Sequence, residues 1–551
     1  MILKRYGLGL VLFFLVSILY AQEALKSSAE EYYDFLSLRG ISGRPTLNYR
    51  TLSDSVWHIS GEAAHPWEDN SFDRRFAPFG PLNLRMYGPE FFMSVNTAAP
   101  YGQNDGALWQ GRGFNASLTG GIRLEFYGLE ATFKPQAAFS QNAAFDILKP
   151  EMSDSKFAGK GDTYGYFWSI IDAPQRFGGK AFFTWDWGDT EIRYTWKTFT
   201  LGFGTQTVWL GPAYLNPILH SNNAPSYPKI DMGLRRQRLV LPWLHWYLGD
   251  IESRIWIGRL TESPYFDNDE SNDHTMYHGF SFAYAPSFLP GLTISFNRVC
   301  LAPWEFNSLK YIAASGQAEN TAAEDQKGSM GMDWIFSGAG LEIYGELGID
   351  DFVPGRIKGY IRYPFHTMVY TAGIKKTLNI LPGKGLYGQI IFEWNNREMS
   401  QDFQFQWPAS FYSHGSGISY TQKGQILGAG TGWAGNSQFL MLRIFYPKGA
   451  SSVFIHRSNP DNNFVYSQAI YTSADSEKER KYFTGFRSDL TTGLNAQYFL
   501  KGNISIGGGA AYTFIVNPYY FYSDPAGTSF KEWNDVYGHN FSFSFTVKYS
   551  L

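Results

Sequence analysis

The sequence predicts an all-β protein, a transmembrane antiparallel β-barrel of about 16–18 strands with a short helical segment in front of it. Three observations carry that expectation. Composition is the first: 46 Phe, 36 Tyr and 17 Trp make up 18% of the 551 residues, and only 17% are charged, where a soluble domain has about 25%. The second is the C-terminal stretch, in which Phe541, Phe543, Phe545, Val547, Tyr549 and Leu551 alternate with small, hydroxylated or charged residues. This is strict period-two patterning. At roughly 3.3 Å per residue and a tilt near 45°, eleven such residues rise about 25 Å, the height of an outer-membrane apolar band. The third is the N-terminus, where Lys4 and Arg5 precede an apolar stretch from Leu8 to Leu19. Residues 1–21 read as a cleaved signal peptide, and no later apolar run approaches the ~18 residues of a spanning helix.

In lipid a strand with an apolar face must pair on both edges, so the strands have to close into a barrel. Interior stretches repeat the pattern. Arg123 and Glu125 share one side of their segment, with Ile122, Leu124 and Phe126 on the other. The same division holds for Glu191, Arg193 and Lys197 and for Glu342 and Glu346, so these seven charges are expected to face the lumen. Further strands are expected near residues 181–187, 198–209, 279–284, 292–299, 359–363, 366–374, 387–394, 439–446, 494–500 and 503–514. Trp187-Gly188-Asp189 and Pro290-Gly291 are read as turns between strands. At ~11 residues per strand the barrel consumes roughly 200 residues, which leaves more than half of the chain for loops, turns and a plug.

Part of that excess lies in residues 22–80. Ser27 and Ser28, followed at three residues by Glu30 and Glu31, form overlapping capping boxes before Tyr32, Tyr33, Phe35, Leu36 and Leu38, so a short amphipathic helix is expected, ended by Gly40, Gly43 and Pro45. Residues 46–80 show no clear strand. The segment is placed on the periplasmic side, as a cap on the barrel mouth, with residues 81–551 forming the barrel and its long loops. Parity then puts the last long connection outside, where Tyr519, Tyr520, Tyr522 and Trp533 stand beside Asn517 and Asp524. Rings next to amides and carboxylates suit a sugar face, and they equally suit an interfacial aromatic girdle.

A formal net charge of −3 argues against nucleic acid as a partner. The single Cys300 can close no intrachain disulfide and build no cysteine zinc site. No nucleophile elbow, zinc-helix signature, phosphate loop or dinucleotide fingerprint is present, so neither an enzyme nor a cofactor is expected. His414-Gly415-Ser416-Gly417 lacks the nucleophile frame, and the acidic run Asp267–Asp273 lacks the glycine and terminal glutamate of a calcium loop. His274 and His278 read as loop passing into strand, and no metal is assigned to them.

Two denser stretches carry a family resemblance. One runs Asn104-Asp105-Gly106-Ala107-Leu108-Trp109-Gln110-Gly111-Arg112-Gly113. The other comprises Trp209-Leu210-Gly211-Pro212 and Leu219-His220-Ser221-Asn222-Asn223-Ala224-Pro225, with Arg235 and Arg236 beyond. Together they resemble the capsule assembly Wzi family of outer-membrane barrels, and the resemblance covers most of the chain after residue 21. It implies a non-enzymatic, lectin-like protein that binds and tethers or organises capsular or extracellular polysaccharide at the cell surface. Outer-membrane lipid and the barrel-assembly machinery are the other implied partners. Asn104, Asp105, Trp109, Arg112, Trp209, Asn222, Asn223 and Arg235 could line a polar lumen or bind polymer, since amides, guanidinium and indole are the groups that read hydroxyls and carboxylates, and they serve equally well as internal fold contacts. The rival expectation is a porin or substrate-specific diffusion channel, motivated by the lumen charges.

Overall fold

The structure is a computed structural model that describes residues 27–60, 65–68, 76–147, 161–165, 171–310, 324–350, 357–362, 368–398, 411–414, 418–462, 487–501, 503–518 and 537–549. Eighteen antiparallel strands form one closed barrel. In chain order they are β1 (Leu82–Asn96), β2 (Gly113–Phe126), β3 (Leu129–Phe133 and Gln136–Ser140), β4 (Phe182–Asp186 and Glu191–Trp196), β5 (Phe199–Gly204) and β6 (Lys229–Val240). There follow β7 (Tyr247–Thr261), β8 (His274–Pro286), β9 (Leu292–Pro303), β10 (Asp325–Phe336), β11 (Leu341–Asp350) and β12 (Met368–Leu381). The last six are β13 (Leu386–Asn396), β14 (Asn436–Tyr446), β15 (Gly449–Asn459), β16 (Ser488–Phe499), β17 (Ile504–Val516) and β18 (Tyr537–Tyr549). Strand β18 closes on β1 with Ser542 opposite Asn96 and Lys548 opposite Glu90.

Each strand sorts its residues by solvent. On β4, Ile192, Tyr194 and Trp196 are exposed outward while Glu191 and Arg193 are buried inward; on β18, Phe541, Phe543 and Phe545 point out and Ser542 points in. The exposed rings and aliphatics meet lipid, so their exposure to water in isolation is the signature of a membrane belt. Turns at one end of the barrel are short, such as Tyr127-Gly128 between β2 and β3, with both residues at positive φ. Connections at the other end are long. Gly88 sits in a bulge of β1 with φ +69°, and a Cβ there would lie 2.7 Å from the amide nitrogen of Glu90.

The lumen is not empty. Helix α1 (Ser28–Leu38) begins where Ser27 Oγ accepts from the Glu30 amide at 3.1 Å. Its Tyr32, Tyr33, Phe35 and Leu36 pack with Trp57, Trp67, Tyr387 and Phe445 at the short-turn end. Trp67 Nε1 donates to the carbonyls of Tyr446 and Gly449, both at 3.0 Å. Residues 205–228, between β5 and β6, turn into the lumen, as do residues 411–414 and 418–434 between β13 and β14. Tyr49, Leu210, Ile218, Leu219, Tyr227, Tyr412, Tyr420, Leu427 and Trp433 form the main hydrophobic core there. The apolar core of this protein therefore lies inside the barrel, around the plug.

Several local expectations are corrected. Of the expected strand at residues 359–363, residues 359–362 are not a strand but part of α2 (Ile357–Arg362), because so few alternating residues cannot distinguish a strand from one helical turn, and residue 363 lies outside the described residues. The stretch 198–209 is a strand only to Gly204; Trp209–Leu210 instead pairs with Tyr49–Arg50 inside the lumen. Trp187-Gly188-Asp189 interrupts β4 rather than separating two strands. Residues 46–80 contain the short pairings Tyr49–Arg50, His58–Ile59 and Phe76–Phe79. His274 and His278 lie on β8, where a spacing of four returns to the same face. Lys197 does not face the lumen: it occupies the turn after β4 at φ +57°, exposed, with Nζ 5.0 Å from the centroid of the Trp196 ring.

Plug and wall are joined by two kinds of polar contact. Wall carboxylates accept plug backbone N–H groups: Glu252 takes Leu47, Asn48 and Tyr49 at 2.8, 3.0 and 2.7 Å. Glu393 takes Tyr214, Leu215 and Asn216 at 2.7, 3.0 and 2.8 Å, and Glu346 takes Ala213 and Ile218 at 3.1 and 2.9 Å. Gly211 is needed at this approach, since a Cβ at its φ of +91° would lie 2.0 Å from Glu346 Oε1. Replacing Glu393 by Ala removes the acceptor of the Tyr214, Leu215 and Asn216 amides, of Asn216 Nδ2 and of the Tyr344 hydroxyl, at ~1–3 kcal/mol for each donor left unpaired. Glu393→Ala is expected to leave the barrel heat-modifiable on gels while residues 205–228 become cleavable by added protease; an equally protected plug would show that Glu393 does not hold it.

Candidate functional site

The second kind of contact is ionic. Asp54, from the N-terminal segment, pairs with Arg235 and Arg254 at 2.7 and 2.8 Å. Arg254 also pairs with Asp231, and Asp231 with Arg193, which meets Glu191 at 2.7 Å. Arg235 continues to Glu130, Glu130 to Arg123, and Arg123 shares Glu125 with Arg85. Five guanidinium groups and five carboxylates thus close one network along β1 to β7. A second joins Arg44 to Asp34, Asp333 and Glu342 at 2.5, 3.2 and 2.6 Å, with Lys375 on Asp34 and Glu342. Burial works to raise the carboxyls of Asp34 and Asp54, but Arg44 and Lys375 beside the first, and Arg254 and Arg235 beside the second, hold both well below the usual carboxylate range.

The inward-facing charges read from the sequence are therefore placed as follows. Arg123, Glu125, Glu191 and Arg193 belong to the first network and Glu342 to the second, whereas Glu346 accepts plug backbone. Such pairs fasten the plug, because a buried charge stripped of its partner costs about 3–5 kcal/mol.

The two motif stretches meet in the lumen. Asn223 Oδ1 accepts from the Asn104 amide at 3.2 Å, and its Nδ2 donates to the Ile426 carbonyl at 3.0 Å. The Asn222 carbonyl accepts from the Gly106 amide at 2.7 Å. Gln425 Nε2 donates to the carbonyls of Gly106 and Asn223, so three separate segments are tied at one point. Trp209 is buried, with Nε1 donating to the Ala213 carbonyl at 3.1 Å and the Arg50 guanidinium 5.4 Å from its ring. Trp109 is half-buried against Phe177 and Phe182. Arg112 donates to the carbonyls of Thr97 and Ala144. Arg235 is held by Asp54 and Glu130. Tyr519, Tyr520, Tyr522 and Trp533 lie outside the described residues, as do residues 415–417.

Among the described residues, two larger cavities lie beside the plug. One of about 250 Å³ lies among Tyr87, Lys134, Gln136, Asp189 and Asn222. The other, about 830 Å³, lies between the plug and the wall formed by β15 to β18 and β1. They share Phe92, Asn104 and Asp105. The larger reaches from Asp489 and Asn540 at the long-connection end down to Gly509 and Ser544 near mid-barrel. Asn104 and Asp105 of its lining stand in the first motif stretch, whereas Asn96, Gln103, His456 and Asn495 were not among the sequence candidates; the small-residue run Gly507-Gly508-Gly509-Ala510-Ala511 was the available signal. Asp105 Oδ2 accepts from Gln110 Nε2 at 2.7 Å, and burial pushes its carboxyl up to about 7.

A closed barrel with an outward apolar belt and a self-plugged lumen defines an integral outer-membrane protein. The chain belongs to the family of the capsule assembly protein Wzi, whose model matches residues 94–519, and its role lies in capsule assembly at the outer membrane. Among solved structures, the fold is similar to Wzi of Escherichia coli, described as an outer membrane protein involved in group 1 capsule assembly and a carbohydrate-binding β-barrel. The TM-score is 0.53 at 11% identity, over 84% of this chain and 85% of that one. OprD from Pseudomonas aeruginosa gives a TM-score of 0.38 at 8% identity over 89% of this chain and 97% of that one, too distant to bear on function. No curated protein matches the sequence significantly.

One plug residue gives the structure a pH dependence. His220 is buried, with Nδ1 donating to the Ser221 carbonyl and Nε2 accepting from Tyr227, both at 2.9 Å. Burial, with Lys229 nearby, lowers its pKa to about 3. The unfolded chain then binds the extra proton first, so this contribution is complete above about 6.5 and is lost as pH falls toward about 3. The gap in unfolding temperature between wild type and His220→Gln is expected to shrink from pH 7 to pH 4; a constant gap would show that His220 does not titrate in this way.

Proposed function

We propose that this protein binds surface polysaccharide without catalysis and holds or organises it at the outer face of the membrane. The observation that carries the reading is the filled lumen: three segments of the protein's own chain occupy it, fastened by ion pairs and capped N–H groups. A porin-type channel needs an open lumen of which the wall charges line the edge; here those charges are turned toward the plug. Family membership and the carbohydrate-binding character ascribed to the E. coli barrel support the same reading. In it, Tyr519, Tyr520, Tyr522 and Trp533 present rings to polymer at the cell surface, with apolar C–H faces stacking and neighbouring amides bonding hydroxyls.

The test compares cell-attached with released polysaccharide in a deletion strain and in the complemented strain. Polymer still made but shed, and re-attached on complementation, is the expected result; unchanged attachment with reduced uptake of a small solute would replace this reading with the channel. Tyr520→Ala together with Trp533→Ala is expected to weaken polymer binding by about tenfold, ~1.4 kcal/mol, with the barrel still heat-modifiable. Unaltered binding would assign those rings to the membrane interface.

A further inference from the structure

The lumen is filled unequally. Along β1 to β7 and β10 to β14, long charged side chains reach the plug and close the space. Along β16 to β18 the inward positions are short: Gly507, Gly509 and Ala511 on β17, with Ser542, Ser544 and Thr546 on β18. These short side chains leave a gap in front of the plug, although at its two ends Phe499 of β16 meets Trp67 at 4.8 Å and Asn540 of β18 accepts from the Ala98 and Ala99 amides. The space left is the 830 Å³ cavity. Asn495 belongs to its lining and stands opposite Gly509 in the ladder, and it is exposed although it points inward.

The walls of this cavity mix polar with apolar surface and carry few carboxyl or guanidinium groups, namely those of Asp105, Arg487 and Asp489. Arg487 and Asp489, at the outer rim, pair with each other at 2.8 Å. The remaining polar lining is mostly amide and hydroxyl. Four of the lining residues, Asn96, Gln103, Asn104 and His456, each carry a buried polar atom without a hydrogen-bond partner: Oδ1, Nε2, Oδ1 and Nε2. Buried polar atoms are ordinarily paired, and each exception calls for an explanation such as strain, water or a bound group. Two of these atoms are acceptors, one is a donor and one is either by tautomer, and all four belong to side chains that line the cavity, so modest side-chain rotation offers a ligand both donors and acceptors. Sugar hydroxyls use both. The volume falls within the ≈ 300–1,000 Å³ of small-molecule sites, and the rings of Tyr101 and Tyr214 in the same lining offer apolar faces to C–H surfaces.

We infer that this cavity is a saccharide subsite, entered from the long-connection end, which takes a short run of neutral sugar units and reads it through amides and hydroxyls rather than through charge. The inference rests on the polysaccharide reading above and goes beyond it by placing one contact inside the barrel wall and by naming the uncharged part of the polymer as what enters. Tyr214 and Leu215 of the plug form the floor, so the ligand is held and not passed through.

The experiment uses the full-length barrel in detergent and, as probe, oligosaccharides released from the host's own surface polysaccharide and separated into neutral and acidic fractions. The only native thiol, Cys300, is buried, so Asn495→Cys provides one reactive thiol in the cavity. The neutral fraction is expected to slow its modification by a charged thiol reagent about fivefold or more, and binding of that fraction is expected to vary little with salt, since no ion pair is formed. Ala511→Trp and Ser544→Phe fill the space and are each expected to weaken binding about tenfold, heat-modifiability confirming that the barrels fold. If neither filling variant folds, protection of the Asn495→Cys thiol decides by itself. Oligosaccharide binding with no protection and with both filled variants unaffected would overturn the subsite and leave polymer binding on the outer loops intact. Protection only by the acidic fraction would overturn the neutral assignment. Failure of wild type to bind either the oligosaccharides or the whole polymer would take down the polysaccharide reading as well.

Discussion

Irregular backbone at membrane depth has to find every hydrogen-bond partner within the protein, and the rest of this structure follows from how that demand is met. The plug consists largely of turns and short extended pieces, which cannot satisfy their own N–H groups as a helix would. Glu252, Glu346 and Glu393, on three different strands, each take two or three of those groups. A carboxyl group accepts several donors at once, which is why glutamate stands at inward positions that a simple barrel would leave to serine or asparagine. Gly211 then becomes obligatory, because only a residue without Cβ lets the chain approach Glu346 so closely.

The ionic networks solve a related problem. Four buried arginines and the half-buried Arg235 along β1 to β7 would be intolerable alone, and the five carboxylates beside them leave the cluster without net charge. Asp54 belongs to the plug, and its two partners to the wall, so the wall is electrically incomplete without the plug in place. The second network repeats this with Arg44 and Asp34 from the N-terminal segment against Asp333, Glu342 and Lys375 from the wall. Plug and barrel are in this sense one folding unit. The side of the lumen without such charges, at β16 to β18, is the side where space remains.

Much of the architecture was legible in the sequence because lipid imposes a simple code. Period-two alternation has one cause in a barrel wall, so β4, β11 and β18 could be read from seven to eleven residues each, and the capping serine at Ser27 announced α1. The code failed where its cause is absent. Residues 198–209 alternate only to the point where the chain leaves the wall, and residues 359–363 are too few to separate a strand from a helical turn. Lys197 fits the alternation of β4 but comes one residue after the strand has turned. For the candidate site, Asn222, Asn223, Trp209 and Arg235 were recognisable as unusual, yet residue type does not say whether an amide or a guanidinium faces a ligand or another segment; the structure shows their bonds within the fold.

The sequence by itself determined the class of protein: the alternation, the aromatic excess and the low charge follow from the solvent on each side of the wall, which acts residue by residue. The identity of the motif stretches was also written in it, since those residues are adjacent in the chain. What only the tertiary structure decided is which groups meet across the lumen. Asp54 with Arg254, Glu393 with Tyr214 and Asn223 with Ile426 are separated by some 200 residues of sequence. Their pairing, and the cavity left where the inward side chains of β17 and β18 are mostly short, depends on the closure of β18 onto β1, a property of the whole ring that no local pattern contains.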